Sequence, residues 1–329
     1  MLSICIPTYN RAEFLRECLN SFVDSARGFE EKIEIIISDN ASTDNTPQVV
    51  EEFMPSGLEL KYRRNHENIG ANRNIIAVAE AASGKYVWLF GDDDKVAKDA
   101  IPVVISRIME GFNLIICNFS IWSRDFAFLK QQNGFPWTYD RIITSSEVLL
   151  EDFSLQLGYI SSVVINRSDL LCVPLDETKR FVACGFPFLY SIYTALNQHC
   201  QAAYVANSVV LNRADNSGGF DWYHYFVTGS SVIFEELQLK GYSRRAAIRA
   251  KHYVLRRYVI YRIIGEKKMR VKHPKGLFHL MLPHYRQNIF FWYGCFPVLC
   301  TPASLLCRVL NFAKAMQRFA RIIFFAIPN

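Results

Sequence analysis

At 329 residues, half of them hydrophobic and 21% charged, the chain is long enough for a substantial core and too apolar to be intrinsically unfolded. Its formal net charge of +6 is modest, but the excess lies mostly beyond residue 240, which points to an anionic partner for the C-terminal part and not to a uniformly basic protein. Nine cysteines, an odd set with no C-x-x-C pair, exclude a disulfide scaffold and read as buried free thiols of a reducing compartment.

The start MLSICIPTYN lacks a basic stretch followed by a long apolar one, so no secretory leader is expected and the expected location is cytoplasmic. The run SICIP reads as a first strand. Phe14, Leu15, Cys18, Leu19, Phe22 and Val23 follow at helical spacing, and IEIIIS reads as a second strand. Thr46-Pro47 supplies a cap and first-turn proline for a helix through Val49, Val50 and Phe53. LELKYRR is a third strand. A helix through Ile75 and Ile76 closes at Ser83-Gly84 before KYVWLF, and LIICNF comes next. Apolar strands alternating with amphipathic helices predict an α/β fold: a mostly parallel, Rossmann-like sheet with helices on both faces. From about 120 to 240 the pattern is mixed, with a strand at YISSVVINR, a helix through LYSIYTAL and a strand at AAYVANSVVLNR. Residues 240–275 form a strongly cationic helical segment in which Glu266 is the single acid.

In an open parallel sheet, ligands bind beyond the carboxyl ends of the strands, where the strand order reverses. Three polar clusters fall at such ends: Pro7-Thr8-Tyr9-Asn10-Arg11, Ser38 to Asp44, and Gly91-Asp92-Asp93-Asp94. Adjacent carboxylates resist joint ionisation unless a cation compensates them, and hard divalent ions take such oxygen ligands, so the triple aspartate points to Mg²⁺ or Mn²⁺ shared with substrate phosphates. A solvated acidic turn is the plain alternative. Asp39 ends its strand in the same cleft, where a carboxylate can accept from a base N–H; an Asx turn is the other reading. Asn65, Asn68, Gly70, Asn72, Arg73 and Asn74 mark a helix start, at which Gly70 allows close approach and Arg73 can hold phosphate.

Taken together, SICIPTYNR, IISDNASTDNT, NxGANRN and WLFGDDD resemble, in order and spacing, the family 2 glycosyltransferases of the GT-A fold, over roughly the first 110 residues. Within that family, CIPTYNR, SDNASTD, YRRN and FGDDD are most similar to abequosyltransferase-like enzymes that add dideoxyhexoses to bacterial O-antigen intermediates. The resemblance implies a GT-A domain over 1–235, with a nucleotide-binding half (1–118) and an acceptor-binding half (119–235), and a basic helical region over 236–329. It implies that Pro7, Thr8, Tyr9 and Arg11 line the nucleotide pocket, that Asp39 recognises the base, and that Asn68, Gly70 and Arg73 lie by the base or diphosphate. Asp93 would contact ribose and Asp94 the metal, with Asp92 as an alternative ligand. Gly91 stands where many members carry a further aspartate.

Many members also place a Glu-Asp pair at a helix start after the acceptor loops, where the aspartate is the general base. The corresponding stretch here, Cys184 to Tyr190, has no carboxylate. A base must lie within hydrogen-bond reach of the acceptor hydroxyl, which leaves Asp215 and Asp176 as candidates, with Glu177 and Asp221 behind them.

Residues 289–307 carry no charge but are interrupted by Pro297 and Pro302, which favours an interfacial or buried hairpin over a span. Arg308, Lys314, Arg318 and Arg321 then fall on one helical face opposite Leu310, Phe312, Met316, Phe319, Ile322 and Ile323. Such a helix suits the inner face of the cell membrane, where a peripheral enzyme would meet a polyprenyl-diphosphate-linked saccharide acceptor. The expected reaction is transfer from a nucleotide-sugar donor to that acceptor; no nucleic-acid motif accompanies the charge. The competing readings are a degenerate GT-A protein that binds without turnover and a nucleotidyltransferase, which the missing glycine-rich loop in PTYNRAEF disfavours.

Overall fold

The structure is a computed structural model that describes residues 1–215, 221–271, 276–306 and 308. Ten strands form one sheet: β1 Leu2–Thr8, β2 Ile33–Asp39, β3 Glu59–Arg64, β4 Tyr86–Leu89, β5 Lys95–Val96, β6 Leu114–Trp122, β7 Leu129–Gln131, β8 Arg141–Ile143, β9 Val163–Asn166 and β10 Ala202–Arg213. Their order is β3-β2-β1-β4-β9-β6-β10-β5, with β7 on β6 and β8 on β10.

The long pairings β1–β2, β2–β3, β1–β4 and β6–β10 are parallel. β9 inserts antiparallel between β4 and β6, so the sheet is mixed. Strand order reverses at β1, and the carboxyl ends of β1, β2 and β4 meet on one edge. Buried on both faces, β1, β2 and β4 read as near-continuous apolar runs for that reason.

One face packs on helices Ala12–Ser25, Thr46–Phe53 and Ala100–Met109, whose Leu15, Phe22, Val49 and Ile101 meet Ile4, Ile35 and Trp88. On the other face, Cys5, Ile36 and Leu89 join a second core that continues through Pro187–Leu196 and Ser230–Leu239 to Phe291 and Cys295. The C-terminal helices are therefore part of the packing of the sheet. The boundaries expected at 118 and 235 fall inside β6 and helix Ser230–Leu239.

Two expectations are refined. The run YISSVVINR becomes a strand only at Val163, because Ile160–Ser162 form a 3-10 turn whose Ser161 side chain is drawn to Asp94. All eight described cysteines are free, but Cys172 and Cys300 are exposed. Among the described residues no helix is long and apolar enough to cross a membrane, since the 289–306 stretch breaks at Thr301. The amphipathic helix expected over 308–323 lies, apart from Arg308, outside the described residues.

Glu34, near the start of β2, is fully buried and ties four segments together. It accepts from Ser3 Oγ, from Ser83 N (2.8 Å) and Oγ (2.7 Å), from Gly84 N (3.0 Å) and from Lys61 Nζ (2.5 Å). Burial alone would raise its pKa, but the bonds from Lys61, Ser3 and Ser83 outweigh it and hold the carboxyl at about 2. A depressed carboxyl pKa stabilises the fold fully above its ordinary value of 4.5, and that contribution disappears as pH falls toward 2. Glu34→Gln is expected to lower stability near pH 7 by about 2 kcal/mol, a figure kept small because Lys61 is half exposed. Urea denaturation should show that the variant has lost part of the wild-type decline between neutral and acid pH; an unchanged pH slope would refute the assignment.

Candidate functional site

Where β1 and β4 end, a cavity of about 810 Å³ opens. Pro7, Thr8, Tyr9, Arg11, Asn68 and Gly70 line it, with Asn40 and the run Gly91-Asp92-Asp93-Asp94. The acidic run is a tight turn leaving β4, with Asp94 N donating to Gly91 O at 3.2 Å. A side chain at Gly91 would bring its Cβ within 2.8 Å of Asp93 Oδ1, so that carboxylate would have to move aside to admit one.

The turn is held from three directions. Thr8 Oγ1 donates to Asp92 Oδ2 at 2.7 Å, and Arg11 lies 3.1 Å from Asp92 and 3.3 Å from Asp93. Asp94 Oδ2 accepts from Tyr159 OH (2.6 Å) and Ser161 Oγ (2.7 Å), while its Oδ1 accepts from Asn212 Nδ2 (3.0 Å) and Arg213 N (3.1 Å). Arg213 Nε donates to Asp93 O at 2.8 Å and its far end reaches Glu17 at 3.0 Å, with the guanidinium between the rings of Phe14 and Phe126. Burial first, and the neighbouring Asp93 charge second, raise the pKa of both Asp92 and Asp94, against the pull of Arg11 and Thr8 on one and of Tyr159 and Ser161 on the other. The same carboxylates raise Arg11, although its burial opposes them.

These residues limit how a cation could be held. Among the described residues no group of three or more His, Cys, Asp or Glu side chains converges as a metal cage. With two donors on each oxygen, Asp94 must give up bonds to coordinate; the Asp92 and Asp93 side chains, 5% and 23% exposed, sit by the cavity with Arg11. One or two carboxylates completed by phosphate oxygens and water is a set that suits Mg²⁺ or Mn²⁺.

Asp39 is fully buried behind this wall, accepting from Ser42 N (2.8 Å) and Tyr62 OH (2.6 Å) with Arg64 Nε at 3.5 Å. Its neighbour Asn40 lines the cavity, bonded to Asn68 at 2.7 Å and Asn65 at 3.0 Å. Arg73 lines a second cavity of about 840 Å³ that shares Arg11, Gly70, Tyr159, Gly185 and Phe186 with the first. That chamber is walled by aromatic rings, Phe119, Phe186, Tyr225, Phe226 and Tyr258, and among the described residues no carboxylate lines it. Gly185, at φ +87°, lets Tyr225 approach; a Cβ there would lie 2.5 Å from its ring.

The 184–190 stretch does border the first cavity, through Gly185 to Leu189 at the start of helix Pro187–Leu196. The structure brings neither Asp176 nor Asp215 to either cavity. The Asp176 side chain is 98% exposed with Lys179 at 3.7 Å, because its helix buries only Thr178; Asp215 is drawn to Lys130 of β7. Glu177 is taken by Tyr190 and Lys240, and Asp221 caps the backbone at His224. Asp92, Asp93 and Asp94 are the only carboxylates lining the two cavities among the described residues. Tyr159, Ser161, Asn212 and Arg213 escaped the sequence reading; the serine pair inside an otherwise apolar run was the one available signal.

Compared with known proteins, residues 3–171, just over half of the chain, match the model of Glycosyl transferase family 2. Abequosyltransferase RfbV of Salmonella typhimurium is 29% identical over 228 residues, 66% of this chain and 67% of that protein. The GalNAc(5)-diNAcBac-PP-undecaprenol beta-1,3-glucosyltransferase of Campylobacter jejuni is 29% identical over 181 residues, 55% of this chain and 54% of the relative, so about half of that protein is spanned. The crystal structure of S. aureus TarS 1-349 in complex with UDP-GlcNAc superposes with a TM-score of 0.63 at 16% identity, covering 88% of this chain and 80% of that one, which shows a shared fold.

Arg213→Ala leaves Glu17 without one cation and frees the carbonyl of Asp93. A loss of about 2–4 kcal/mol is expected in urea unfolding. Arg213→Lys, which cannot span both partners, should recover less than half of it; full recovery would mean that charge alone, and not the fork geometry, holds the turn.

Proposed function

The chain belongs to glycosyl transferase family 2, and from that premise we propose that it moves a sugar from a nucleoside-diphosphate donor to a saccharide hydroxyl on a polyprenyl-diphosphate carrier. The observation that carries this reading is the braced acidic turn at the switch point of the sheet, facing a cavity that sets Asn40, Asn68 and Asn72 beside Tyr9, Ile75 and Phe186. The donor's base and ribose lie against Pro7, Thr8, Tyr9 and Asn40, with Asp39 setting the position of that loop from behind, and its diphosphate lies toward Arg11, Asn68, Gly70 and Arg73. Asp93 and Asp92 would hold Mn²⁺ or Mg²⁺, with Asp94 as the further ligand. When bound, that cation neutralises charge on the departing diphosphate.

The aromatic chamber takes the acceptor, since C–H faces of sugar rings stack on Phe and Tyr and the chamber opens onto the donor cavity through Tyr159 and Phe186. The undecaprenol-linked substrate in the name of the Campylobacter jejuni relative supports a lipid-linked saccharide acceptor, and an O-antigen-type intermediate is the setting proposed for it. A lipid carrier places the protein at the inner face of the cell membrane as a peripheral enzyme. A second reading, a family member that binds donor without turnover, draws on the absence of a carboxylate from 184–190.

Thermal shift with a panel of nucleotide sugars should show one donor that stabilises the chain in the presence of Mn²⁺ and not with chelator. Asp93→Asn is expected to abolish that shift and to slow transfer by about 10²–10³-fold; an unchanged shift would sink the metal assignment, and a shift without transfer to any lipid-linked saccharide would favour the non-catalytic reading. Phe226→Ala is expected to raise the acceptor KM about tenfold, the loss of one stacking platform, while the donor-induced shift stays as in the wild type. A raised donor requirement instead would put the donor in the aromatic chamber.

A further inference from the structure

We infer that the C-terminal helical region presents a membrane-docking face, in which Ile289, Trp292 and Tyr293 enter the headgroup layer of a bilayer rich in anionic phospholipid. The inference rests on the lipid-borne acceptor proposed above and adds to it the face and the lipid chemistry.

Charge is partitioned along the chain. The first 239 residues hold 19 Lys and Arg against 30 Asp and Glu, a net −11, whereas the last 90 hold 18 against one, a net +17. That one acid, Glu266, is 4% exposed and accepts from Tyr223 at 2.7 Å and Arg262 at 2.5 Å, so it offers almost nothing to the surface. Carboxylates from other elements meet only part of the excess: Glu151 takes Arg249, Glu235 takes Lys251 and Glu177 takes Lys240. Among the described residues, neither Arg256 nor Arg257 has a carboxylate partner. Both line a groove of about 450 Å³ with Arg249, His252 and Tyr261; its acids, Glu151 and Asp152, are engaged by Arg249 and Arg141.

Beside this groove stands an apolar corner. Ile289 is 74% exposed, Tyr293 63% and Trp292 43%, three large apolar side chains open to solvent within five positions at the start of the π-helical turn Phe291–Cys295. Trp292 has its only polar group satisfied, donating Nε1 to Arg286 O at 2.9 Å, so the exposed ring has nothing further to gain from water. Tyr293 stands edge-on to Phe290 at 5.5 Å, and Phe290 packs on His252 at 4.7 Å, which joins the corner to the arginine groove. Tyr261, 66% exposed, is a second amphipathic ring on the groove. Exposed Trp, Tyr and Ile beside arginines that no carboxylate neutralises is the pattern of interfacial binding, in which apolar groups enter the headgroup boundary and cations meet lipid phosphates. Charge complementarity selects an anionic bilayer as the occupant.

The test is co-sedimentation of the full chain with vesicles of phosphatidylcholine alone or with about 30% phosphatidylglycerol, at low salt and at about 1 M salt. Binding is expected only to the anionic vesicles and is expected to weaken in high salt. The variant I289S/W292S/Y293S should partition about tenfold less, as should R256Q/R257Q; an unchanged donor-induced thermal shift would show that both are folded. Four results would overturn the inference: no binding to anionic vesicles, equal binding to neutral ones, wild-type partition by the triple variant, or retention on single-stranded nucleic acid without vesicle binding. Vesicle binding without transfer to a lipid-linked saccharide would leave the face standing and refute the proposed reaction alone.

Discussion

Three successive carboxylates at the mouth of a buried strand repel one another and lose hydration together, and the cleft is assembled around that cost. Each partner that offsets it comes from a different place: Thr8 and Arg11 from the end of β1, Tyr159 and Ser161 from the 3-10 turns before β9, and Asn212 and Arg213 from the end of β10. Those residues lie 65 to 119 positions from Asp94 or 81 to 84 from Asp92. The bracing of the acidic turn is therefore complete only when the segments around β1, β9 and β10 are folded together. A cation arriving with a diphosphate donor would act on a turn whose geometry is already imposed, which is how preorganised electrostatics reduces reorganisation at the reacting centre.

The antiparallel insertion of β9 is what makes this possible. Because β9 runs against both β4 and β6, the chain entering it arrives at the same sheet edge that β4 leaves, and Trp88 Nε1 donates to Ser161 O at 2.8 Å to fix that approach. A strictly parallel sheet would have delivered the start of β9 to the opposite edge. Gly91 N donates to Ser161 Oγ at 2.9 Å in the same place, so one serine bonds both ends of the acidic turn.

Much of the frame was legible in the sequence for a physical reason. β1, β2 and β4 are buried on both faces, so they read as apolar runs, and the polar clusters that follow them had to lie at their carboxyl ends. Strand direction was not legible at β9, since an apolar run of four residues carries no polarity. The position of Asp39 at a strand end was readable, but its partners Tyr62 and Arg64 belong to the edge strand β3, whose alternation showed a strand and not what its side chains would reach. Asp176 and Asp215 were chosen by chemistry alone; the helix face that buries Thr178 and the Lys130 ion pair, both tertiary features, turn them away from the cavities. The aromatic chamber was invisible because Phe119, Phe186, Tyr225 and Tyr258 come from four separate segments and read individually as core.

On the proposed function, the chain's opposed charges serve two surfaces with different tasks in one packed body. A cleft that binds a cation and an anionic donor must hold buried acids and local arginines in balance, whereas a face that meets an anionic bilayer must exclude carboxylates. The core that covers one side of the sheet runs without interruption from Cys5 and Ile36 through Tyr193, Val227 and Val259 to Phe291 and Cys295. Phe291 lies between Phe290 and Trp292, so the residue that anchors the exposed corner belongs to the same packed cluster as the strands beneath the cavity at the acidic turn. Close-packed interiors transmit position, so the distance from the exposed corner at Trp292 to the acidic turn is set by side-chain packing and not by a linker.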